Sequence, residues 1–121
     1  MKEHPWQTII GQAPAKSNTY RIVMIGGKPA IKKSDSTEQY EKNFYMQVGA
    51  YRNMQIKGFF ELYVRVYFST MSHDLDNSLK SILDSLQYAK TIVNDNKCVK
   101  IVAEKFIDKT NPRVEFRITE I

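Results

Sequence analysis

Apolar and polar positions alternate without interruption in FFELYVRVYF, residues 59–68. Phe60, Leu62, Val64, Val66 and Phe68 fall on one side, and Glu61, Tyr63, Arg65 and Tyr67 on the other. A period of two over this length predicts a strand with one face in a core. CVKIVAEKF and RVEFRITEI read as two more strands, separated by the turn DKTNP. In the second of these Val114, Phe116 and Ile118 alternate with Arg113, Glu115, Arg117 and Thr119, so one face stays polar. Near the start, WQTIIGQ (6–12) reads as a short strand and APAKSN as a polar loop. YRIVMIGGKPAIKK reads as a hairpin turning at Gly26-Gly27.

Two stretches carry a helical period instead. Across residues 34–58, Tyr40, Phe44, Val48 and Tyr51 recur at intervals of four, four and three. Asp35 and Glu38 have capping-box spacing, and Gly58 is the expected stop. The aromatic stripe is expected in the core, not as a stacking platform for bases. A second helix is expected from Asp76 to about Tyr88, with Leu79, Ile82, Leu83 and Leu86 as its buried stripe. TIVNDNK follows as a short apolar run into a polar turn. Together these elements predict an α+β fold, a single domain over residues 1–121 in which a mixed β-sheet carries two main helices on one side.

Composition narrows the class. The chain has 121 residues, 42% hydrophobic and 26% charged, as expected of one soluble globular domain. No apolar run would span a bilayer, and MKEHPWQTII lacks a signal-peptide apolar core, so no membrane association and a cytoplasmic location are expected. One cysteine, Cys98, excludes an internal disulfide, suits a reducing compartment and, with only His4 and His73 as soft partners, argues against structural zinc. Trp6 is expected in the core or an interface, and Cys98 in a strand without chemistry. The net charge of +5 is unevenly placed: residues 1–60 hold nine Lys/Arg against four acids, residues 61–121 nine of each. Lys16, Arg21, Lys28, Lys32 and Lys33 meet no acid between 16 and 33. A basic hairpin of this kind fits either a polyanionic partner or a merely solvated surface.

The chemistry-bearing stretch is SHDLDNSLKSILDSL, residues 72–86. Asp74 and Asp76 are two apart, a spacing that points both side chains the same way in extended chain. Asp76 suits the N-cap, and Lys80 one turn on is expected to pair with it, partly shielded by the leucine stripe. Asp84 is expected to turn toward solvent. A cap, a helix-dipole acid and an i,i+4 ion pair explain Asp76 and Lys80 but leave Asp74 without a reason, since one carboxylate caps a helix. A hard divalent cation, Mg²⁺ or Mn²⁺, would use both acids, with Asp95 in VNDNK as the leading third ligand.

HDLDNSLKSILDSL, then VNDNKCVKIVAEK, then the terminal RVEFRITEI together resemble the RusA family of Holliday junction resolvases. The resemblance is closest over residues 59–121 and looser at APAKSN. It implies metal-binding aspartates at Asp74, Asp76 and Asp95 and an essential lysine at Lys80, with all four catalytic. It places Lys105 near DNA, and more loosely Lys16 and Asn18. Arg21, Lys28, Lys32 and Lys33 join them as expected DNA contacts on charge. Where the family has an Asp-Asp pair, this chain has Asn94-Asp95. The implied function is Mg²⁺-dependent, paired, symmetric cleavage of four-way DNA junctions in recombination and repair, by a homodimer that needs no small-molecule cofactor. A nuclease of the same fold acting on other branched DNA is one alternative. A non-catalytic DNA-binding module is another, disfavoured because acids hinder polyanion binding. His73 is expected to be a bystander.

Overall fold

A computed structural model describes residues 1–14 and 20–121. In chain order the elements are β1 (Lys2–Glu3), β2 (Gln7–Ile10), β3 (Tyr20–Ile25), β4 (Lys28–Lys33), α1 (Asp35–Gln47), a 3₁₀ turn (Gly49–Tyr51) and β5 (Phe60–Phe68). They continue with α2 (Leu75–Tyr88), a second 3₁₀ turn (Asp95–Lys97), β6 (Cys98–Ile107) and β7 (Arg113–Glu120). The fold is a small α+β domain with a mixed sheet and two helices, as the patterning predicts.

The five-stranded sheet centres on β5 and β7. β5 pairs with β7 antiparallel and with β6 parallel, while β1 and β2 share the far side of β7. A parallel pair needs a long crossover, and α2 supplies it between β5 and β6. Along β5 the burial alternates as the sequence does: Phe60, Leu62, Val64, Val66 and Phe68 are buried and the residues between are half-buried. Val114, Phe116 and Ile118 of β7 join them under Phe44 and Tyr51, with Phe44 stacked on Phe116 at 5.7 Å. Each such side chain contributes about 1.5–3 kcal/mol by leaving water. The Tyr51 hydroxyl donates to Pro5 O at 2.7 Å and accepts from Ile118 N at 3.2 Å, joining the N-terminal segment to β7.

The helices depart from expectation in detail. α1 is capped by Ser34, which accepts from Thr37 N, not by an Asp35 box, and it stops at Gln47, well before Gly58. Gly49 has φ +60, and a Cβ there would meet the Gln7 side chain at 3.3 Å, so helix cannot continue. The 3₁₀ turn keeps Tyr51 in phase with the buried stripe. On α2 the buried face is Ser78, Ser81, Ile82, Ser85 and Leu86, with Leu79 and Leu83 only partly buried. The small serines let the helix lie close to its neighbours, which turns the leucines toward its flank. Trp6 is outside the core; its ring lies under the Arg65 guanidinium at 4.0 Å on the open sheet face.

β3 and β4 form a separate two-stranded sheet. Gly26 and Gly27 have φ +59 and +78 between the paired Ile25 and Lys28, the signs a type I′ turn requires. Its base is tied to α1 by Arg21–Asp35 at 3.1 Å and Lys33–Glu41 at 2.8 Å.

Candidate functional site

The loop entering α2 is locked from three sides. The Gln12 side chain accepts from Ser69 N at 2.8 Å, and its amide nitrogen donates to His73 Nε2 at 3.1 Å. The His73 ring stacks on Phe68 with centroids 5.0 Å apart and planes 12° apart. Lys105 Nζ donates to Met71 O at 2.9 Å and to His73 O, and lies 5.9 Å from the Phe68 ring centroid. A cation at the end of β6 thus fixes the backbone immediately before Asp74.

Asp74, not Asp76, holds the N-cap position, with φ −92 and ψ 132, and its carboxylate makes no capping hydrogen bond. Asp74 Oδ2 instead accepts from Asn77 Nδ2 at 3.3 Å and borders a cleft shared with Pro14, Phe68, Ser72, His73 and Ser78. Asp76 is exposed in the first turn. The helix N-terminus carries partial positive charge, so both acids sit where the helix dipole favours them.

Lys80 turns away from Asp76. Its Nζ is 3.0 Å from Asp84 Oδ1 and 3.0 Å from Asp95 Oδ2. The i,i+4 preference alone favours Asp76, because an acid N-terminal to a lysine is the better order. Asp95 decides the direction, since only on the Asp84 side do two carboxylates meet one ammonium. The hydrogen bond Lys80 donates to Asp84, then the one it donates to Asp95, raises its pKa well above the ordinary value. Asp84 is therefore not solvent-facing as expected: its side chain is 15% exposed, and its Oδ2 is buried without a hydrogen-bond partner. Its i,i+4 spacing to Lys80 was the available signal.

Asp95 opens the 3₁₀ turn, with its backbone N–H donating to Gln87 Oε1 at 3.2 Å. Asn94 caps that turn by accepting from Asn96 N at 3.0 Å, a task for which asparagine and aspartate serve equally. Carboxylates are the hard oxygen donors Mg²⁺ takes, so the donor set suits the ion in kind. Among the described residues no three acidic, histidine or cysteine side chains stand together as a metal site. In this arrangement the Lys80 ammonium is the cation that Asp95 meets.

The expected DNA contacts divide. Lys28 and Lys32 are exposed on the hairpin and make no ion pair among the described residues. Arg21 is exposed but pairs with Asp35. Lys33 meets both oxygens of Glu41, whose side chain is 3% exposed. Lys105 is committed to the loop carbonyls. Lys16 and Asn18 lie outside the described residues.

The crossover helix α2 opens with two acids, and its Lys80 bridges Asp84 of the same helix and Asp95 of the turn that follows. The sequence model of the family described as Endodeoxyribonuclease RusA matches residues 12–119, and the chain belongs to that family. Membership makes it a nuclease of the Holliday-junction-resolving kind. A search of the curated proteins found no match. Among the described residues no helix is long and apolar enough to cross a membrane.

Proposed function

We propose that this protein is a Mg²⁺-dependent endonuclease that resolves four-way DNA junctions as a homodimer, by paired symmetric cuts. In this reading it acts in recombination and repair in the cytoplasm and needs no small-molecule cofactor; Mn²⁺ is able to replace Mg²⁺. The observation that carries the reading is Lys80, held between Asp84 and Asp95 on the helix that Asp74 and Asp76 open, in a chain of the RusA family.

Hydrolysis forms a bond from a water oxygen to phosphorus and breaks the bond to the 3′ oxygen, giving a 5′-phosphate and a 3′-hydroxyl. Asp74 and Asp76 at the start of α2, and Asp95 in the turn after it, are the carboxylates that would hold the metal ion, although a single copy of the chain does not gather the three; the ion would supply a polarised water and neutralise charge at the phosphate. Lys80 stays an ammonium at any physiological pH, because its pKa is raised, so it serves as a cation and not as a base. An ammonium has three N–H donors, and Asp84 and Asp95 use two. The third remains for a phosphate oxygen as negative charge develops. Lys105, Gln12 and the His73–Phe68 stack hold the Asp74 backbone still while this happens. Lys28 and Lys32 extend the reach along the DNA backbone, where such contacts position a protein without reading sequence.

The test is a labelled four-way junction and a linear duplex, each incubated with the protein with and without Mg²⁺, and the cuts mapped. Mg²⁺-dependent cuts in two strands of like polarity, confined to the junction, are expected. Junction binding without any cut would favour a DNA-binding module. Equal cutting of the linear duplex would remove the structural selectivity.

A further inference from the structure

The cleft bordered by Asp74 adjoins a second and larger cavity. This one, of about 490 Å³, lies between the segment that follows β2 and the exposed side of α1, and it shares Pro14 and His73 with the Asp74 cleft. Its volume is in the range of cavities that hold small organic groups. The lining narrows the occupant. Among the described residues it contains no Lys, Arg, Asp or Glu, so neither a phosphate nor an ammonium finds a counter-charge there.

The cavity is not simply apolar either. Ile10, Ala13 and Pro14 supply hydrocarbon wall, and amides and a hydroxyl supply the rest. The Gln12 amide is committed to Ser69 and His73. Gln39 and Asn43 are not so committed. Gln39 Nε2 donates to Asn43 Oδ1 at 3.1 Å, which leaves Gln39 Oε1 as an acceptor and the Asn43 amide N–H groups as donors, with no other partner among the described residues. Tyr40 lines the same cavity and is only 8% exposed, and its hydroxyl is buried without a hydrogen-bond partner among the described residues. A buried hydroxyl left unpaired is unfavourable, and a ligand that offers it a partner removes that cost.

An uncharged ring with donors and acceptors along its edge suits the hydrocarbon wall, the amide pair and the hydroxyl together. In a nuclease that ring is a nucleobase, and amide side chains read base edges through such donor–acceptor pairs. A base and its phosphate are joined through a single sugar, and the two cavities are joined at Pro14 and His73. We propose that the larger cavity receives an unstacked nucleobase of the junction strand, beside the scissile phosphate at Asp74, and that Gln39 and Asn43 read its edge. Bases at the branch point of an open junction lack a stacking neighbour on one side, so turning one out is easier there than within a duplex. The proposal rests on the nuclease reading above and adds to it a site for the base.

The experiment uses junctions that carry a fluorescent base, 2-aminopurine or pyrrolocytosine, at each branch-point nucleotide in turn. Emission rises when such a base leaves the stack, and it is read without Mg²⁺, so no cutting is needed. Wild-type protein at saturation is expected to raise emission about threefold or more at one nucleotide of the bound strand. The double variant Gln39→Met, Asn43→Leu is expected to lose that rise while a gel shift still shows the junction bound and the melting temperature shows the protein folded. Cleavage in Mg²⁺ then compares four junctions that differ only in that base. The wild type is expected to favour one of them by about tenfold or more, the discrimination of one good amide–base contact, and the double variant to treat all four alike within about threefold. Tyr40→Phe separates ligand binding from folding: it is expected to leave the melting temperature of the free protein level or higher, since it deletes an unpaired buried hydroxyl, and to diminish the emission rise. A bound junction with no emission rise at any branch-point base would overturn the base site, and Mg²⁺-dependent cuts would leave the nuclease reading standing. A rise and a base preference that both persist in the double variant would overturn the assignment of Gln39 and Asn43. A rise lost in the double variant, with no cut by the wild type in Mg²⁺, would overturn the nuclease reading alone.

Discussion

Removing the Lys105 ammonium separates two roles for it, a contact with DNA and a clamp on the loop before Asp74. The substitution is Lys105→Met, which keeps the length of the side chain and its packing on Phe68. It deletes hydrogen bonds to Met71 O and His73 O. A hydrogen bond to a charged group contributes about 1.5–3 kcal/mol when shielded, but Lys105 is half-buried and both carbonyls have access to water. A net loss of about 1–2 kcal/mol follows, equivalent to roughly 3–8 °C in melting temperature for a domain of this size. The larger effect falls on cleavage. With the clamp gone, the Asp74 backbone is held only by the Gln12–His73 bond and the ring stack, and a displacement of about 1 Å at a reacting group costs roughly 100-fold in rate. Single-turnover cleavage at saturating protein should therefore fall by one to two orders of magnitude, about 10–100-fold, while junction affinity and its salt dependence stay put. If Lys105 instead touches a phosphate, the salt slope of binding drops by about 0.9 and the saturated cleavage rate survives. That second pattern would refute the clamp.

Asp74→Asn should abolish cleavage while leaving junction binding intact or tighter, read by gel shift beside a cleavage assay, because it removes a metal ligand and a repulsion together. Lys80→Ala should lose cleavage with a melting temperature lowered only modestly, since the ammonium is half exposed and the pairs it makes are partly screened; equal losses of both would mark Lys80 as structural. The Lys80 pKa is raised in the fold, so the stability its charge contributes is fully present below its ordinary value, about 10.5, and is lost only above that. Cleavage should accordingly show no descending limb from Lys80 between about pH 8 and 10; a limb there that moves in Lys80→Arg would contradict this. On the hairpin, Lys32→Glu should weaken DNA binding without altering stability. Lys33→Ala should destabilise by about 2 kcal/mol in a denaturant titration, because it strips the salt-bridge partner from the buried Glu41 carboxylate.

Much of this was legible in the chain. Strict alternation specified β5 down to the burial of each residue, and Gly26-Gly27 announced a type I′ turn. Where a local rule had two equivalent answers, the sequence could not choose. Lys80 has an acid four residues away on either side, and Asp95, distant in sequence, breaks the tie. Asp74 and Asp76 are both competent caps, and the clamp from Lys105 decides by bringing Asp74 to the cap position. α1 ends early without breaking its apolar period, so Gly49 was masked by Tyr51. β1 is two polar residues, visible only through its pairing with Thr119 and Glu120 and the His4–Glu120 hydrogen bond at 2.6 Å. Serine burial on α2 depends on how close its neighbours come, which no periodicity of leucines encodes.

The order of strands has a consequence for how the chain is made. β7 lies between β5 on one side and β1 and β2 on the other, yet it follows all of them in the chain. While a ribosome is still extending the chain through β6, the N-terminal strands have no partner and the apolar face of β5 is half built. Contacts that close so late in sequence fold slowly and leave surface exposed in the interval. The parallel β5–α2–β6 unit, by contrast, can assemble as soon as its own residues emerge, and it already contains the Lys80–Asp95 contact. The candidate site is thus written into the portion of the fold that can form first, and the arrival of β7 converts that portion into a finished domain.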